Sequence, residues 1–562
     1  MKKLIFSGIS LLILLEYSFA APYSPKVMTN RKPDTLFKTY FVHPQAGNDQ
    51  NPGTSKEYPF KTLQQIEKIK LNPGDQVILA ANQQYSGSLN LLNQQGNREN
   101  PIMITSIDWN DKDDNAPAII NFKGTANGIL IQDCSFIKIS NIRLTGNGSG
   151  DFNETSDMRC GILVTDKDKQ NMTDIELDHI FMKDVYYENS GFLRNKNEVH
   201  SANGTKKYGW GIRITNRQGD HLIQNVVISN CSITDVSHTG IKLTGNKKNI
   251  RHLRIIHNTL KNTGGPGIQM SEVQFVYVAN NIVDHSGSNT DSRKWGRGSG
   301  LWTWGSSNVL IENNEFKNAN GPGDSDGTHI DFNCDNIIVQ YNLSYHNAGG
   351  FCEILGNNYN CTYRYNISVN DGYRVKGKNN AFQEGKILWL SGYVGNKMPR
   401  KGPVNTYIYN NTIYCDSTIT PKIAIDNTSS GILIANNIFY VQNTFQWVLG
   451  DQYKPDQESQ AIAKNVHFTN NLFLSKRAWQ KEIPYQDQNP IFGDVAFVHP
   501  GDSIIASYIP GNDNLVREKG IRVSRFPEIK TGQAALSYSL HLDKDILGHA
   551  VKEKTSIGAI EP

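Results

Sequence analysis

VYVANNIV (residues 276–283), VLIENNEF (309–316) and IIVQYNLS (337–344) repeat one pattern of alternating apolar residues, an asparagine and a further apolar residue. The pattern centres on Asn230, Asn258, Asn281, Asn314, Asn342, Asn366, Asn411, Asn437 and Asn471, and more weakly on Asn141 and His179. From Asn258 onward, consecutive asparagines lie 23 to 45 residues apart. A short minimum spacing with occasional excess is typical of one structural unit that is repeated, with loops inserted into some copies.

Each repeat consists of short apolar runs of period two, separated by Asn, Gly and Asp, which predicts strands rather than helices. One coil of such strands cannot bury its apolar face alone, so the coils must stack. The asparagine suits a tight corner that tolerates left-handed geometry, and its amide can hydrogen bond along the stack. The sequence therefore predicts an all-β fold, a right-handed parallel β-helix.

The predicted β-helix spans residues 38–479, and Thr62–Ile69 has the pattern of a short amphipathic helix that caps its N-terminal end. Residues 480–562 are predicted to form a loop-rich C-terminal cover. Met1–Ala20 has the features of a signal peptide, with Lys2 and Lys3 before an apolar run and a small-residue cleavage site. Residues 21–37 would be an N-terminal extension. We therefore expect export to the periplasm or the medium, without membrane insertion.

The composition excludes several classes of function. A net charge of +4 is too small to indicate a nucleic-acid partner, but it is compatible with an acidic substrate. The seven cysteines form no CxxC pair, which favours buried free thiols over disulfides or a sulfur-bound metal. No glycine fingerprint for a nucleotide cofactor occurs. We expect a monomer without a cofactor, calcium being the one candidate ion.

Three stretches carry a resemblance to a known family: YFVHPQAGNDQNPGT with YPFKTLQQI near the start, NIIVQYNLSYHNAGGF (336–351), and the closing SIGAIEP. They resemble secreted bacterial β-helix proteins of the pectin-lyase-like superfamily, over nearly the whole mature chain. The resemblance implies a polysaccharide-active enzyme and leaves hydrolases and lyases both open.

The predicted site follows from aligning one strand of each repeat by its leading glycine. Because side chains alternate between faces, the third and fifth positions of the strand should point outward. The third positions are Arg213, Lys242, Gln269, Trp302, His329, Phe351 and Ile387, and the fifth are Thr215, Thr244, Ser271, Trp304, Asp331, Glu353 and Trp389. This alignment places Asp331 beside Glu353 on neighbouring coils, with His329 adjoining. Two close carboxylates disfavour joint ionisation, which supplies the acid and the base that glycosidic cleavage requires.

Further residues extend this predicted site. Asp326 and Asp324, in the turn NGPGDSDG (320–327), could join the catalytic carboxylates, or bind calcium together with Asp331, although turn chemistry explains them equally well. The residues predicted to bind substrate are Trp302, Trp304, Trp389, Arg213, Lys242, Gln269, Tyr373 and Arg374. The tryptophans would stack on sugars, or else pack beneath the inserted loop Ser286–Gly298.

Three hypotheses remain open. In the first, a secreted glycoside hydrolase cleaves an acidic polysaccharide or its oligosaccharides, with Asp331 and Glu353 as acid and base or nucleophile, and Arg213 and Lys242 on the anionic groups. In the second, a lyase or dehydratase eliminates at a uronate, and His329, Lys242, Tyr373 or Arg374 handles the proton and the charge. In the third, the solenoid binds glycans without catalysis. The long insertions after Asn366 and Asn437 are predicted to wall the cleft.

Overall fold

A computed structural model describes residues 37–109, 116–150, 158–167, 170–204, 207–217, 219–448, 462–479, 481–525 and 536–562. Lys38–Pro562 forms one compact unit. The predicted signal peptide, Met1–Ala20, lies outside the described residues. Among the residues that are described, no helix has both the length and the apolar character needed to cross a membrane.

Within the described residues, nearly all regular structure belongs to two parallel sheets, with strands numbered along the chain. The smaller sheet contains β4 (Leu89–Leu92), β7 (Asn127–Gln132), β9 (Met158–Thr165), β11 (Tyr208–Thr215), β14 (Ile241–Thr244), β17 (Ile268–Ser271), β20 (Leu301–Trp304), β23 (Asp326–Ile330), β26 (Gly350–Ile354), β29 (Lys386–Leu390), β32 (Lys422–Ile425) and β35 (Gln446–Trp447). The larger sheet contains β1 (Thr39–Val42), β2 (Gln76–Ala80), β3 (Gln84–Ser86), β5 (Ile102–Ile107), β6 (Ala118–Asn121), β8 (Ile137–Asn147), β10 (Met172–Tyr186), β12 (Ile223–Ser229), β13 (Ser232–Val236), β15 (Ile250–Ile256), β16 (Thr259–Lys261), β18 (Val273–Ala279), β19 (Ile282–Asp284), β21 (Ser307–Glu312), β22 (Glu315–Lys317), β24 (Asp335–Gln340), β25 (Leu343–Tyr345), β27 (Thr362–Arg364), β28 (Ile367–Val369), β30 (Val404–Tyr409), β31 (Thr412–Cys415), β33 (Ser430–Ala435), β34 (Ile438–Val441), β36 (Lys464–Thr469), β37 (Leu472–Phe473) and β38 (Ile491–Phe492).

One coil of the chain contributes two strands to the larger sheet and one to the smaller. In the coil made of β18, β19 and β20, each strand pairs in parallel with its counterpart one coil later, β21, β22 and β23. Alternate side chains of every strand fill the space between the sheets, among them Ile268, Met270 and Leu301, all fully buried. The predicted parallel β-helix is confirmed.

The repeated asparagines form a buried ladder along one corner. The Asn281 side chain donates from Nδ2 to Oδ1 of Asn314 at 2.9 Å, and Asn314 donates in the same way to Asn342 at 3.0 Å. Each Oδ1 also accepts the backbone N–H of the preceding ladder asparagine. The series ends where Asn471 donates to the Asp487 carboxylate at 2.7 Å. The predicted side-chain ladder is confirmed.

The predicted backbone geometry of the ladder asparagine is wrong by one residue. Asn280 and Asn313, which precede ladder members, have the positive φ angles of 56° and 55°. The preceding residue turns the corner, so the ladder asparagine can keep an ordinary backbone and direct its amide along the stack. In the copy assigned to Asn230, the φ is 53° and the ladder position belongs to Cys231, whose N–H donates to Asn258.

Replacing Asn314 by Ala is expected to lower the free energy of unfolding by about 1–3 kcal/mol. The change leaves the buried donors of Asn281 without their acceptor and the carbonyl of Val278 without its donor. Urea unfolding measures the effect. Asn289→Ala, at an exposed position, is the matched control and should shift stability by less than about 0.5 kcal/mol. Equal effects of the two substitutions would mean that the ladder contributes nothing.

In the described ranges the helices are one α-helix, Gln64–Glu67, and the 3-10 helices Lys196–His200, Ile505–Tyr508 and Asp513–Leu515. The α-helix is shorter than the predicted Thr62–Ile69. It packs on β4, where Asn90 donates to Glu67 at 2.9 Å, and its capping role stays a prediction. All seven cysteines are buried and unpaired, as predicted. Near the C-terminus, Leu540 accepts the Tyr409 hydroxyl at 2.7 Å, which ties this segment to the larger sheet.

Candidate active site

A column of glycines decides which side chains reach the outer face of the smaller sheet. Gly267, Gly300 and Gly327 occupy equivalent positions, and a Cβ on Gly300 would lie only 2.7 Å from the ring of buried Phe316. The glycines therefore face the interior, as do the residues that follow them, such as Leu301. Because two consecutive positions point inward, the residue before each glycine emerges on the outer face. Asp326 reaches the site for this reason.

The predicted register between β23 and β26 is wrong by two residues. His329, and not Asp331, is the partner of Glu353, and Asp326 is the partner of Gly350. Gly349 and Gly350 do not belong to the glycine column: a side chain on either would collide with a backbone carbonyl, of Asp324 or of Lys386. Phe351 lies level with Gly327 instead. Because side chains alternate with a period of two, a register shift of two residues leaves each side chain on the same face of the sheet. Asp331 and Glu353 therefore still share one surface.

Asp326, His329 and Glu353 form the centre of the site. One ligand-type atom of each lies within 4.8 Å of the others, and the three residues are at most 3% exposed. His329 Nδ1 is 3.5 Å from a Glu353 oxygen, and neither ring nitrogen of His329 has a hydrogen-bond partner among the described residues. Burial raises the pKa of Glu353 well above its ordinary value, and Asp326 raises it further. Both effects favour the protonated form of Glu353.

Asp331 has a different environment on the same face. The indole N–H of Trp302 donates to Asp331 at 2.7 Å, and the N–H of Phe332 donates to the other oxygen at 2.8 Å. The Trp302 ring stacks on His329, with the centroids 5.5 Å apart, so this tryptophan links Asp331 to the central cluster. Burial raises the pKa of Asp331 to about 6, against the opposing effect of the hydrogen bonds. Above pH 6 its carboxylate is mostly ionised.

Asp324 is held by Arg297, a residue that the sequence did not single out. The guanidinium donates to both carboxylate oxygens, at 2.8 and 3.0 Å, and both side chains are buried. Burial opposes ionisation of Asp324, but Arg297 outweighs it and holds the pKa of Asp324 below its ordinary value. Arg297 comes from the inserted loop Ser286–Gly298, where no periodic pattern marks it.

Replacing Arg297 by Met is expected to lower the free energy of unfolding by about 3–5 kcal/mol, because it leaves the Asp324 charge buried without its main partner. Arg517→Met removes an exposed ion pair, with Asp513 at 2.6 Å, and should cost less than about 1 kcal/mol. Denaturant unfolding compares the two variants. Adding Asp324→Leu to Arg297→Met should recover part of the loss, and failure of both results would contradict a stabilising role for the pair.

The other predicted aromatic residues lie around the cluster. Trp389 is the register partner of Glu353. The ammonium of Lys386 lies 3.6 Å from the Trp389 ring centroid, and its charge acts on Glu353. Lys386 precedes the inward-facing Ile387, just as Asp326 precedes Gly327, and so reaches the outer face. Trp304 is partly exposed and packs edge-on against Phe332, with the centroids 5.8 Å apart.

Two residues predicted to bind substrate have other contacts. Tyr373 stacks on His346, centroid to centroid 4.4 Å, at the turn after β25. Arg374 donates to the backbone carbonyls of Asp324 at 2.7 Å and Gln383 at 2.9 Å. Arg374 thus fixes the wall of the site rather than facing it.

The walls come from inserted segments. On one side, Phe382 packs on His200, with the centroids 4.5 Å apart, and Gln383 accepts the N–H of Asp324. On the other side, Tyr393 packs edge-on against Phe332, 5.7 Å between centroids. The insertion after Asn366 therefore walls the site as predicted, whereas residues 449–461 of the insertion after Asn437 lie outside the described residues.

The calcium site suggested by the sequence stays a prediction. Asp324 is bonded to Arg297 and Asp331 to Trp302, and among the residues that the structure describes Asp326 is the one of the three that belongs to a cluster of potential ligands, with His329 and Glu353. Calcium prefers six to eight oxygen ligands, which this trio with a histidine does not supply.

Arg213, Lys242 and Gln269 continue the column of His329 toward the N-terminus, since each is the register partner of the next, and Gln269 is the partner of Trp302. Beside them, Thr215, Thr244 and Ser271 are partly exposed. We call this column, from Arg213 to Trp389, the groove floor.

Comparison with known proteins agrees with this architecture. A family model described as "right handed beta helix region" matches residues 210–413. Two crystal structures of a GH136 lacto-N-biosidase from Eubacterium ramulus, native and selenomethionine-labelled, superpose with TM-scores of 0.51 and 0.52 at 18% identity. The superposed regions cover 76% and 81% of this chain, respectively, and 68% of each crystallised chain. The chain is a right-handed parallel β-helix, and the predicted handedness is confirmed.

One curated relative extends over most of the chain. The lacto-N-biosidase of Bifidobacterium longum subsp. longum is 24% identical over 93% of this chain. This chain spans only 36% of the length of that relative. The resemblance to carbohydrate-active β-helix proteins expected from the sequence is confirmed.

Proposed function

We propose that this protein is a glycoside hydrolase in which Glu353 donates the proton and Asp331 acts as base or nucleophile. The observation that carries the proposal is the different environment of two carboxyl groups on one face: burial and Asp326 favour the protonated form of Glu353, while Asp331 accepts hydrogen bonds from Trp302 and Phe332 and its pKa is raised only to about 6. Cleavage of a glycosidic bond requires this pair of functions.

His329 lies 3.5 Å from Glu353 and stacks on the tryptophan that binds Asp331. The ring nitrogens of His329 can hydrogen bond to sugar hydroxyls, and the protonated carboxyl group of Glu353 can donate to the glycosidic oxygen. The partly exposed ring of Trp304 offers a surface for a sugar face. The arrangement therefore supports binding of a sugar over the His329 ring edge.

The names of the relatives support hydrolysis, because both are lacto-N-biosidases. The expected substrate is an acidic glycan, containing uronic acid or sulfate, for which Arg213 and Lys242 are the candidate partners. Export, predicted from Met1–Ala20, would expose the enzyme to such polymers.

A second candidate function, β-elimination at a uronate, is favoured by one observation. Burial, with Arg213 and Arg217, lowers the pKa of Lys242 to about 7, so that its neutral amine is available to remove a proton near neutral pH. Tyr373 and Arg374, which the sequence assigned to the same reaction, have other contacts.

Incubating the protein with neutral, uronate-containing and sulfated oligosaccharides tests the proposal. New reducing ends without a product that absorbs in the ultraviolet support hydrolysis. A rise in ultraviolet absorbance, from the double bond that elimination creates, would replace hydrolysis by the second candidate. Binding without turnover of any glycan would leave a non-catalytic solenoid and overturn both enzymatic functions.

A further inference from the structure

Arg213 and Lys242 are two cations on neighbouring coils of the groove floor. They are register partners, and they are only 4% and 7% exposed. Among the residues that the structure describes, no carboxylate forms an ion pair with either of them, and Nε of Arg213 has no hydrogen-bond partner. Proteins bury a charge at high cost unless an opposite charge compensates it.

The neighbouring charged groups increase the repulsion between Arg213 and Lys242. The groups that act most strongly on Lys242 are the cations Arg213 and Arg217. Burial lowers the pKa of His238, and Lys242 and Arg213 lower it further. Arg213 lies 4.8 Å from the ring centroid of Trp210, and this cation–π contact compensates part of its charge only. Among the described residues, Lys242 has no such contact. The cluster is therefore repulsive in the absence of a ligand whenever Lys242 carries its proton.

The position of the pair indicates a ligand rather than a packing defect. Both side chains belong to the floor of the groove that holds the acid pair, and the partly exposed Thr244, beside Lys242, has a hydroxyl without a hydrogen-bond partner. Coils are about 4.8 Å apart, so Lys242 lies about 10 Å from Trp302 and about 14 Å from His329. An anion bound here belongs to a sugar remote from the bond that is cleaved.

We propose that Arg213 and Lys242 form an anion subsite, which receives one carboxylate or sulfate group of the glycan at a fixed distance from the cleaved bond. This inference rests on the proposed function, because it takes the groove to be the glycan-binding surface. A guanidinium binds carboxylate and other oxyanions with two parallel hydrogen bonds, while an ammonium acts as a point charge beside it. The shared chemistry is that of an oxyanion on a sugar, from a uronic acid or from a sulfate ester.

The subsite predicts a specific pattern of kinetics. Because the anion is remote from the reacting atoms, its contacts are the same in the ground state and in the transition state, and their loss should raise KM without lowering kcat. The titratable and charged groups that face Lys242 are Arg213, Arg217 and His238, so binding of an anion should weaken as the pH rises through about 7 and Lys242 loses its proton.

The experiment titrates the intact protein with glucuronate, galactose 6-sulfate and neutral galactose, by calorimetry, and repeats the titrations with Lys242→Met and Arg213→Met. We expect at least tenfold tighter binding of one or both anions than of galactose, and loss of this preference in both variants. Whichever anion binds more tightly identifies the source of the oxyanion. Lys261→Met, at an exposed position of β16, is the control and should keep the preference.

Unfolding measurements keep the test decisive. If the two cations serve an anion, removing one relieves repulsion, and the midpoint of urea unfolding should stay or rise; a fall in both variants would show a structural role and overturn the proposal. Equal binding of galactose and both anions by the wild type would overturn it too. Hydrolysis of neutral and acidic glycans with equal KM would contradict the anion subsite and leave the proposed function intact. Anion binding without any turnover would support the subsite and contradict the proposed function.

Discussion

Replacing Glu353 by Gln is expected to lower kcat on natural glycans by about two to four orders of magnitude. Glutamine keeps the size of the side chain but cannot give a proton to the leaving oxygen, a role that burial and Asp326 prepare in Glu353. Steady-state kinetics with a glycan that the protein cleaves measures the loss. A substrate with an activated leaving group, such as a nitrophenyl glycoside of the same sugar, needs no proton and should lose far less activity.

Glu315→Gln is the matched control, since this glutamate lies on the larger sheet in a surface pair with Lys317 at 2.6 Å. It should leave kcat unchanged. A Glu353→Gln enzyme that loses activity equally on both kinds of substrate would show that Glu353 has a role other than proton donation.

Replacing Asp331 by Asn is expected to lower kcat to a similar extent. The role of Asp331 also predicts how the activity depends on pH. Because the pKa of Asp331 is about 6, its carboxylate becomes protonated as the pH falls through 6, and kcat/KM of the wild type should fall with it. Above pH 6, kcat/KM should stay constant until the pH is high enough for Glu353 to lose its proton. Any residual activity of the Asn variant should lack the acidic limb.

Azide supplies a test of the role that Asp331 has. If Asp331 is a nucleophile, added azide should restore turnover of an activated substrate by Asp331→Asn and yield a glycosyl azide of inverted configuration relative to the normal product. A wild-type profile that is flat across pH 6, combined with normal activity of Asp331→Asn, would remove this residue from the mechanism. Asp335→Asn, on the larger sheet and in a partly exposed pair with Lys248, is the control.

Much of the fold could be predicted from the sequence because its signals are local and repeated. Any one copy of the asparagine pattern is weak, but stacking requires every copy to occupy the same place, so the copies reinforce one another. For the same reason the column from Arg213 through Lys242 to Trp302 was assigned correctly: each strand opens with one glycine that faces the packed interior.

The pairing at the site could not be predicted in this way, since the local signal changes there. Gly349 and Gly350 look like column glycines but are required by close approaches of the backbone, while Phe351 takes the column position. Contacts between distant loops leave no periodic trace either. Arg297, which reaches Asp324 from an insertion, could be recognised only from the folded chain.

The hydrogen bonds of the asparagine ladder do not depend on the number of residues in the coil between two ladder asparagines. Asn366 reaches Asn411 across 45 residues with the same 3.0 Å bond that joins Asn342 to Asn366 across 24. An insertion that leaves and re-enters the coil therefore does not change the hydrogen bonds at the corner that align the coils. Segments such as 371–385 and 391–403 can accordingly be exchanged for others, and new specificities could be grafted onto an unchanged catalytic floor.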